Sequence, residues 1–118
     1  MTLSGRIAQI LTPCASGGAH RARAPQGVAL PYVVFTFASS DVANVLDGAP
    51  VANNTRLQVD VYSATAAEAD AVLDAVTAAM QAAADAGDPR NYAISSPADQ
   101  PDPDTRLYRV MVEFSVWS

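Results

Sequence analysis

A chain of 118 residues with 50% hydrophobic and 16% charged residues has the make-up of one folded domain over residues 1–118, not of a disordered segment. Its formal net charge is −5 and its seven cations are all arginine, so it lacks the basic stripe that holds DNA by its phosphates. One cysteine, Cys14, excludes an intramolecular disulfide and a Cys-based metal site, and no apolar run approaches the roughly 18 residues of a membrane span. With no charged N-terminal region followed by an apolar run, the chain reads as soluble and intracellular at synthesis.

The first element is a short helix over residues 2–12. Leu3, Ile7, Ile10 and Leu11 share one face of a 3.6-residue period, Thr2 caps it and Pro13 ends it. Residues 13–29 are rich in Gly, Pro, Ala and Arg without periodicity and read as loop. Leu30 to Ala38 reads as a strand of β-branched and aromatic residues, with Pro31 at its start. Residues 39–54 are too long for an ordinary hairpin loop. They hold Asp41 and the turn signal Asp47-Gly48, so they form a candidate contact arm. Deleting residues 40–53 is expected to leave a folded chain that no longer makes its assembly contacts.

Residues 55–62 alternate. Leu57, Val59 and Val61 point to a core; Arg56, Gln58, Asp60 and Tyr62 point away from it. Adjacency predicts antiparallel pairing with residues 30–38. A capping box follows, in which Thr65 accepts from the N–H of Glu68 and the Glu68 carboxylate returns to the N–H of Thr65. Ala69, Val72, Leu73, Val76 and Met80 give the buried stripe of a helix from Ala66 to about Ala86, ended by Gly87 and Pro89. Residues 91–95 read as a short strand and residues 96–104 as an acidic, extended loop. Thr105 to Trp117 is a long strand, with Tyr108, Val110, Val112, Phe114 and Val116 on one face. The predicted fold class is α+β: an antiparallel or mixed sheet of about four strands. The long helix crosses one face with the N-terminal helix beside it.

No catalytic, cofactor-binding or metal-binding residues are assigned. His20 is the single histidine and sits in the Gly/Ala/Arg stretch without a partner signal; Cys14, six residues away, invites a dyad that sequence proximity alone does not build. Asp99, Asp102 and Asp104 lack the glycine and terminal glutamate of a calcium loop. No phosphate-cradling glycine motif occurs. Trp117 has two readings, packing on the chain's own helix or anchoring a subunit interface, where tryptophan is enriched.

The order of three pieces carries a resemblance. They are the Pro31-Tyr32-Val33 segment, the Arg56-Leu57-Gln58-Val59-Asp60-Val61-Tyr62 strand running into Glu68-Ala69-Asp70, and the closing Phe114-Ser115-Val116-Trp117. Leu46-Asp47-Gly48 matches the tip of a hairpin between the first two. Together these resemble the tail completion (tail terminator) proteins of long-tailed phages and gene transfer agents. The resemblance implies a structural virion protein, not an enzyme. Such a protein forms a ring, usually a hexamer, on the head-proximal end of the tail tube. It stops polymerisation and joins the tail to the head connector. The implied partners are copies of itself, the tube protein and the connector protein, with DNA only passing through and no membrane. Assembly takes place in the host cytoplasm, and the final location is the tail–head junction. The expected interface residues are Asp41, Leu46, Asp47, Arg56, Tyr62 and Trp117, and no cofactor is implied. Three rival readings stand beside it. One is another neck component, such as a head-closure or connector protein. The second is a small hydrolase using His20 with Asp or Cys, for which His20→Ala would abolish function. The third is a small-molecule or peptide-binding module, which needs a closed apolar pocket.

Overall fold

The computed structural model describes residues 2–41, 54–99 and 107–117. Leu46 and Asp47, and with them most of the proposed contact arm, lie outside the described residues. Two helices, α1 (Leu3–Leu11) and α2 (Ala66–Ala86), accompany six strands. The strands are β1 (Ala19–Arg21), β2 (Tyr32–Asp41), β3 (Asn54–Ser63), β4 (Asn91–Ala93), β5 (Ala98–Asp99) and β6 (Tyr108–Trp117). They form one sheet in the order β1-β2-β3-β6-β4, with β5 also on β6. The class is α+β, as the patterning predicts. The sheet is mixed, because β1 runs parallel to β2 while the other pairs are antiparallel.

The sheet exceeds the expected four strands by β1 and β5, of three and two residues. Segments this short carry no readable alternation. β1 lies inside the stretch read as loop, and backbone bonds hold its approach. Gly17 N–H donates to the Pro31 carbonyl at 2.8 Å, and Val33 N–H donates to the Gly18 carbonyl at 3.0 Å.

The long strands follow their alternation. Val33, Phe35, Leu57, Val59, Val61, Val110, Val112, Phe114 and Val116 are buried on the helix side. The register sets Val59 between Phe35 on β2 and Val112 on β6. α2 supplies Ala69, Val72, Leu73, Val76 and Met80 to the same core, the five positions its period predicts, and α1 adds Ile7 and Leu11. Apolar burial of this kind contributes about 25 cal/mol per Å² and is the main favourable term in the fold.

The caps explain why the helices start and stop where they do. The Thr2 hydroxyl accepts from Gly5 N–H at 3.0 Å, and the Thr65 hydroxyl from Glu68 N–H at 3.2 Å. The return half of the expected capping box is replaced. Thr65 N–H donates to Ser63 Oγ at 3.1 Å, and that hydroxyl lies 3.0 Å from Glu68 Oε1. Glu68 thus braces the cap through Ser63, a buried residue at the end of β3. At the other end Gly87 adopts φ +69°, the left-handed conformation that glycine takes without a Cβ penalty. Gly87 N–H reaches the Ala84 carbonyl and Asp88 N–H reaches that of Ala83, both at 3.0 Å.

Candidate functional site

The sheet face turned away from α2 carries most of the side chains singled out in the sequence. Arg56, Gln58, Asp60 and Tyr62 occupy alternate positions of β3, opposite Ser115, Glu113, Met111 and Arg109 of β6. Each meets a neighbour. Arg56 Nε is 3.4 Å from Glu113 Oε2. Gln58 Nε2 donates to Asp60 Oδ2 at 3.0 Å. Arg109 Nε donates to Asp60 Oδ1, also at 3.0 Å. Tyr62 stacks on Tyr32 with ring centroids 5.0 Å apart, and the Arg109 guanidinium lies 5.6 Å from the Tyr62 ring. At the strand ends, Asn54 and Ser115 exchange hydrogen bonds at 2.9 and 3.2 Å.

Asp60 departs from the alternation: it points away from the core, yet it is only 3% exposed. Its carboxylate is covered by its own partners, and a buried charge is tolerable only when paired in this way. Removing the partner leaves the charge stranded. Arg109→Ala is therefore expected to destabilise the chain by about 2 kcal/mol, held below the fully buried figure because Arg109 is partly solvated. Asp60→Asn with Arg109→Gln should recover part of that loss. A double-mutant cycle on urea midpoints measures the coupling.

Among the described residues, the expected interface residues divide into two places. Asp41 pairs with Asn54, and Asn54 with Trp117, so Asp41, Arg56 and Trp117 gather at one end of the sheet. Tyr62 is six residues further along β3, about 20 Å away at the strand rise. Trp117 is half-buried and stands outside the helix-side core. Its ring lies 5.3 Å from that of Tyr92 and 5.0 Å from the Arg90 guanidinium. Tyr92 is 56% exposed. Sequence reasoning passed over Tyr92 and Arg90 because β4 is three residues long; the Trp117–Tyr92 contact exists only through the β4–β6 pairing.

Two shallow grooves flank these places. One, of about 480 Å³, lies between the start of α1 and the turn after α2, with Leu3, Arg6, Pro89 and Trp117 in its wall. Arg6 spans it to Asp88 at 3.4 Å. The other, of about 530 Å³, lies under residues 22–30 on a floor of Tyr32, Val34 and Tyr62. No group of three or more metal-ligating side chains occurs among the described residues.

Cys14 and His20 are held by separate backbone carbonyls. The Cys14 Sγ lies 3.7 Å from the Ile10 carbonyl, and His20 Nε2 is 2.8 Å from the Gly17 carbonyl. Burial pushes the Cys14 thiol above its ordinary range. The folded chain thus holds this proton more tightly than the unfolded chain does. The associated stability is present below the unfolded thiol pKa and is lost as pH rises through the folded one. Cys14 is expected to alkylate with iodoacetamide more slowly than a free cysteine at pH 8, with a rate midpoint above that of the free thiol. A midpoint at or below that of free cysteine would contradict the buried, protonated thiol.

Among solved structures, a chain from the virion of a native gene transfer agent particle is similar to this one. The two are 18% identical with a TM-score of 0.58, and the match covers 94% of this chain and 82% of that chain. At that identity the likeness is one of fold. No curated protein matches. The family model of Tail completion protein gp17 matches residues 7–118, from the first helix through the last strand, and the chain therefore belongs to the tail completion family, a family of structural phage-tail proteins and not of enzymes.

Proposed function

We propose that this protein is a tail terminator. It caps the head-proximal end of the tail tube, stops tube polymerisation and joins the tail to the head connector. The observation that carries the reading is the family match across residues 7–118. The working form is a ring of copies, a hexamer, assembled in the host cytoplasm and retained at the tail–head junction. Its partners are the tube protein and the connector protein. DNA only passes through, in keeping with a net charge of −5.

Contacts run through Asp41, Leu46, Asp47, Arg56, Tyr62 and Trp117. Trp117 is the anchor at one end of the sheet, where Tyr92 beside it offers further exposed aromatic surface. Tyr62 serves the opposite end. Aromatic side chains toward both ends of the sheet support a chain seated between a tube and a connector.

A gold-labelled tag on the chain tests this directly in electron micrographs of particles and free tails. The label is expected at the head-proximal end of tails. Label on tailless heads and none on tails would instead assign the chain to the head-closure or connector components.

A further inference from the structure

The charges of this chain are unevenly distributed. Its first 40 residues contain Arg6, Arg21 and Arg23 and no Asp or Glu; all 12 acidic residues come later. The fold carries part of this polarity across the sheet: Arg21 ends β1 and Arg23 follows it, while Arg6 reaches over to Asp88 in the turn after α2. α1 packs beside β1 on one flank, while α2 packs over β3, β6 and β4 toward the other. On the β1 flank, Arg21 and Arg23 are exposed, and neither forms an ion pair among the described residues. The Arg21 guanidinium is held beside the edge, 5.1 Å from the Phe37 ring. On the other flank, Asp99 of β5 is exposed, and α2 adds exposed Asp70 and Asp74 with no basic residue along its length. The exposed Arg90 before β4 lies over the Trp117 ring at 5.0 Å.

The flanks are also the sheet's open edges. Among the described residues, β1 pairs only with β2 and covers only Val33–Phe35 of it; β4 and β5 pair only with β6. Unpaired strand edges are templates for further association. Two identical edges meeting about a two-fold axis would set arginine against arginine, or aspartate against aspartate. Unlike edges meeting head to tail set arginine against aspartate, and a head-to-tail contact repeated around an axis closes a ring.

Resting on the ring-forming reading above, we infer that copies of this chain join edge to edge. The Arg21/Arg23 flank of one copy meets the Asp99 flank of the next. The occupant of each edge is a second copy of the same chain, and electrostatic complementarity sets its direction.

Charge reversal tests the contact. Arg23→Glu and Asp99→Arg are compared with the double variant and with an equal mixture of the two single variants. Recruitment to purified tail tubes is read by sedimentation at low salt, and circular dichroism checks the fold of each exposed-site variant. Each single variant is expected to lower recruitment about tenfold. The double variant should restore it, because the two exchanged charges again face each other with opposite sign across the contact. The mixture should also restore it, by alternation around an even-numbered ring. Single variants that bind as wild type does, or a double variant no better than the singles, would overturn the edge contact. Wild-type protein capping tubes in the same preparation keeps the terminator reading intact in that event. A wild type that does not cap would remove both.

Discussion

Gly17→Ala is expected to cost this fold about 3 kcal/mol or more, measured as a loss of urea midpoint at constant slope. A Cβ at position 17 would run into the Ala29 carbonyl oxygen and would come within 2.9 Å of the Pro31 carbonyl oxygen and of Tyr32 Cβ. Two of these three atoms are backbone, so no rotamer change relieves the clash. The segment would have to withdraw, breaking the Gly17–Pro31 and Val33–Gly18 backbone bonds that seat β1 against β2. The Arg21 flank would lose its anchorage as well, so amide exchange in residues 17–22 and 32–35 should accelerate in the variant. An unchanged midpoint would show that the close approach of residue 17 to residues 29–32 is not what holds β1.

Phe35→Ala is expected to cost about 3–5 kcal/mol. Phe35 is 1% exposed and lies on β2 between Arg21 of β1 and Val59 of β3. It joins the core shared by both helices and meets Phe37 edge-on with centroids 6.1 Å apart. Truncation leaves a cavity bounded by strands that cannot collapse without losing their ladder. For a chain of this size, a loss on that scale is a large part of the roughly 5–15 kcal/mol that separates folded from unfolded states. Phe35→Leu, which conserves most of the volume, should cost less than half as much. Equal midpoints for Phe35→Ala and wild type would contradict the packing described here.

How much of this could be read in the sequence depended on the length of each element. β3, β6 and α2 are long enough for their periods to be unambiguous, and the residues on their apolar faces are found in the core, except Tyr108 at the start of β6, which is exposed. Ends also came through where a side chain marks them, as with Thr65 and Gly87. What stayed hidden depends on contacts between distant segments. β1 is held by backbone bonds to residues 31–35, and no pattern within Ala19–Arg21 announces them. Asp60, buried though it points away from the core, is held by Arg109, 49 residues away. The alternation of β3 placed it on the correct face, but alternation says nothing of what covers that face. The cap of α2 shows the same limit at short range, since Ser63, outside the expected box, takes over half of its bonding. Tyr62 and Trp117 likewise acquire their ring neighbours, Tyr32 and Tyr92, only through strand pairing.

The most direct test is the tail-length distribution of particles produced without this protein, counted together with the fraction of tails attached to heads. Terminator function predicts tubes that overrun their normal length and remain detached, with both defects reversed when the purified chain is supplied during assembly. Tails of normal length, sealed and joined to heads in its absence, would contradict it.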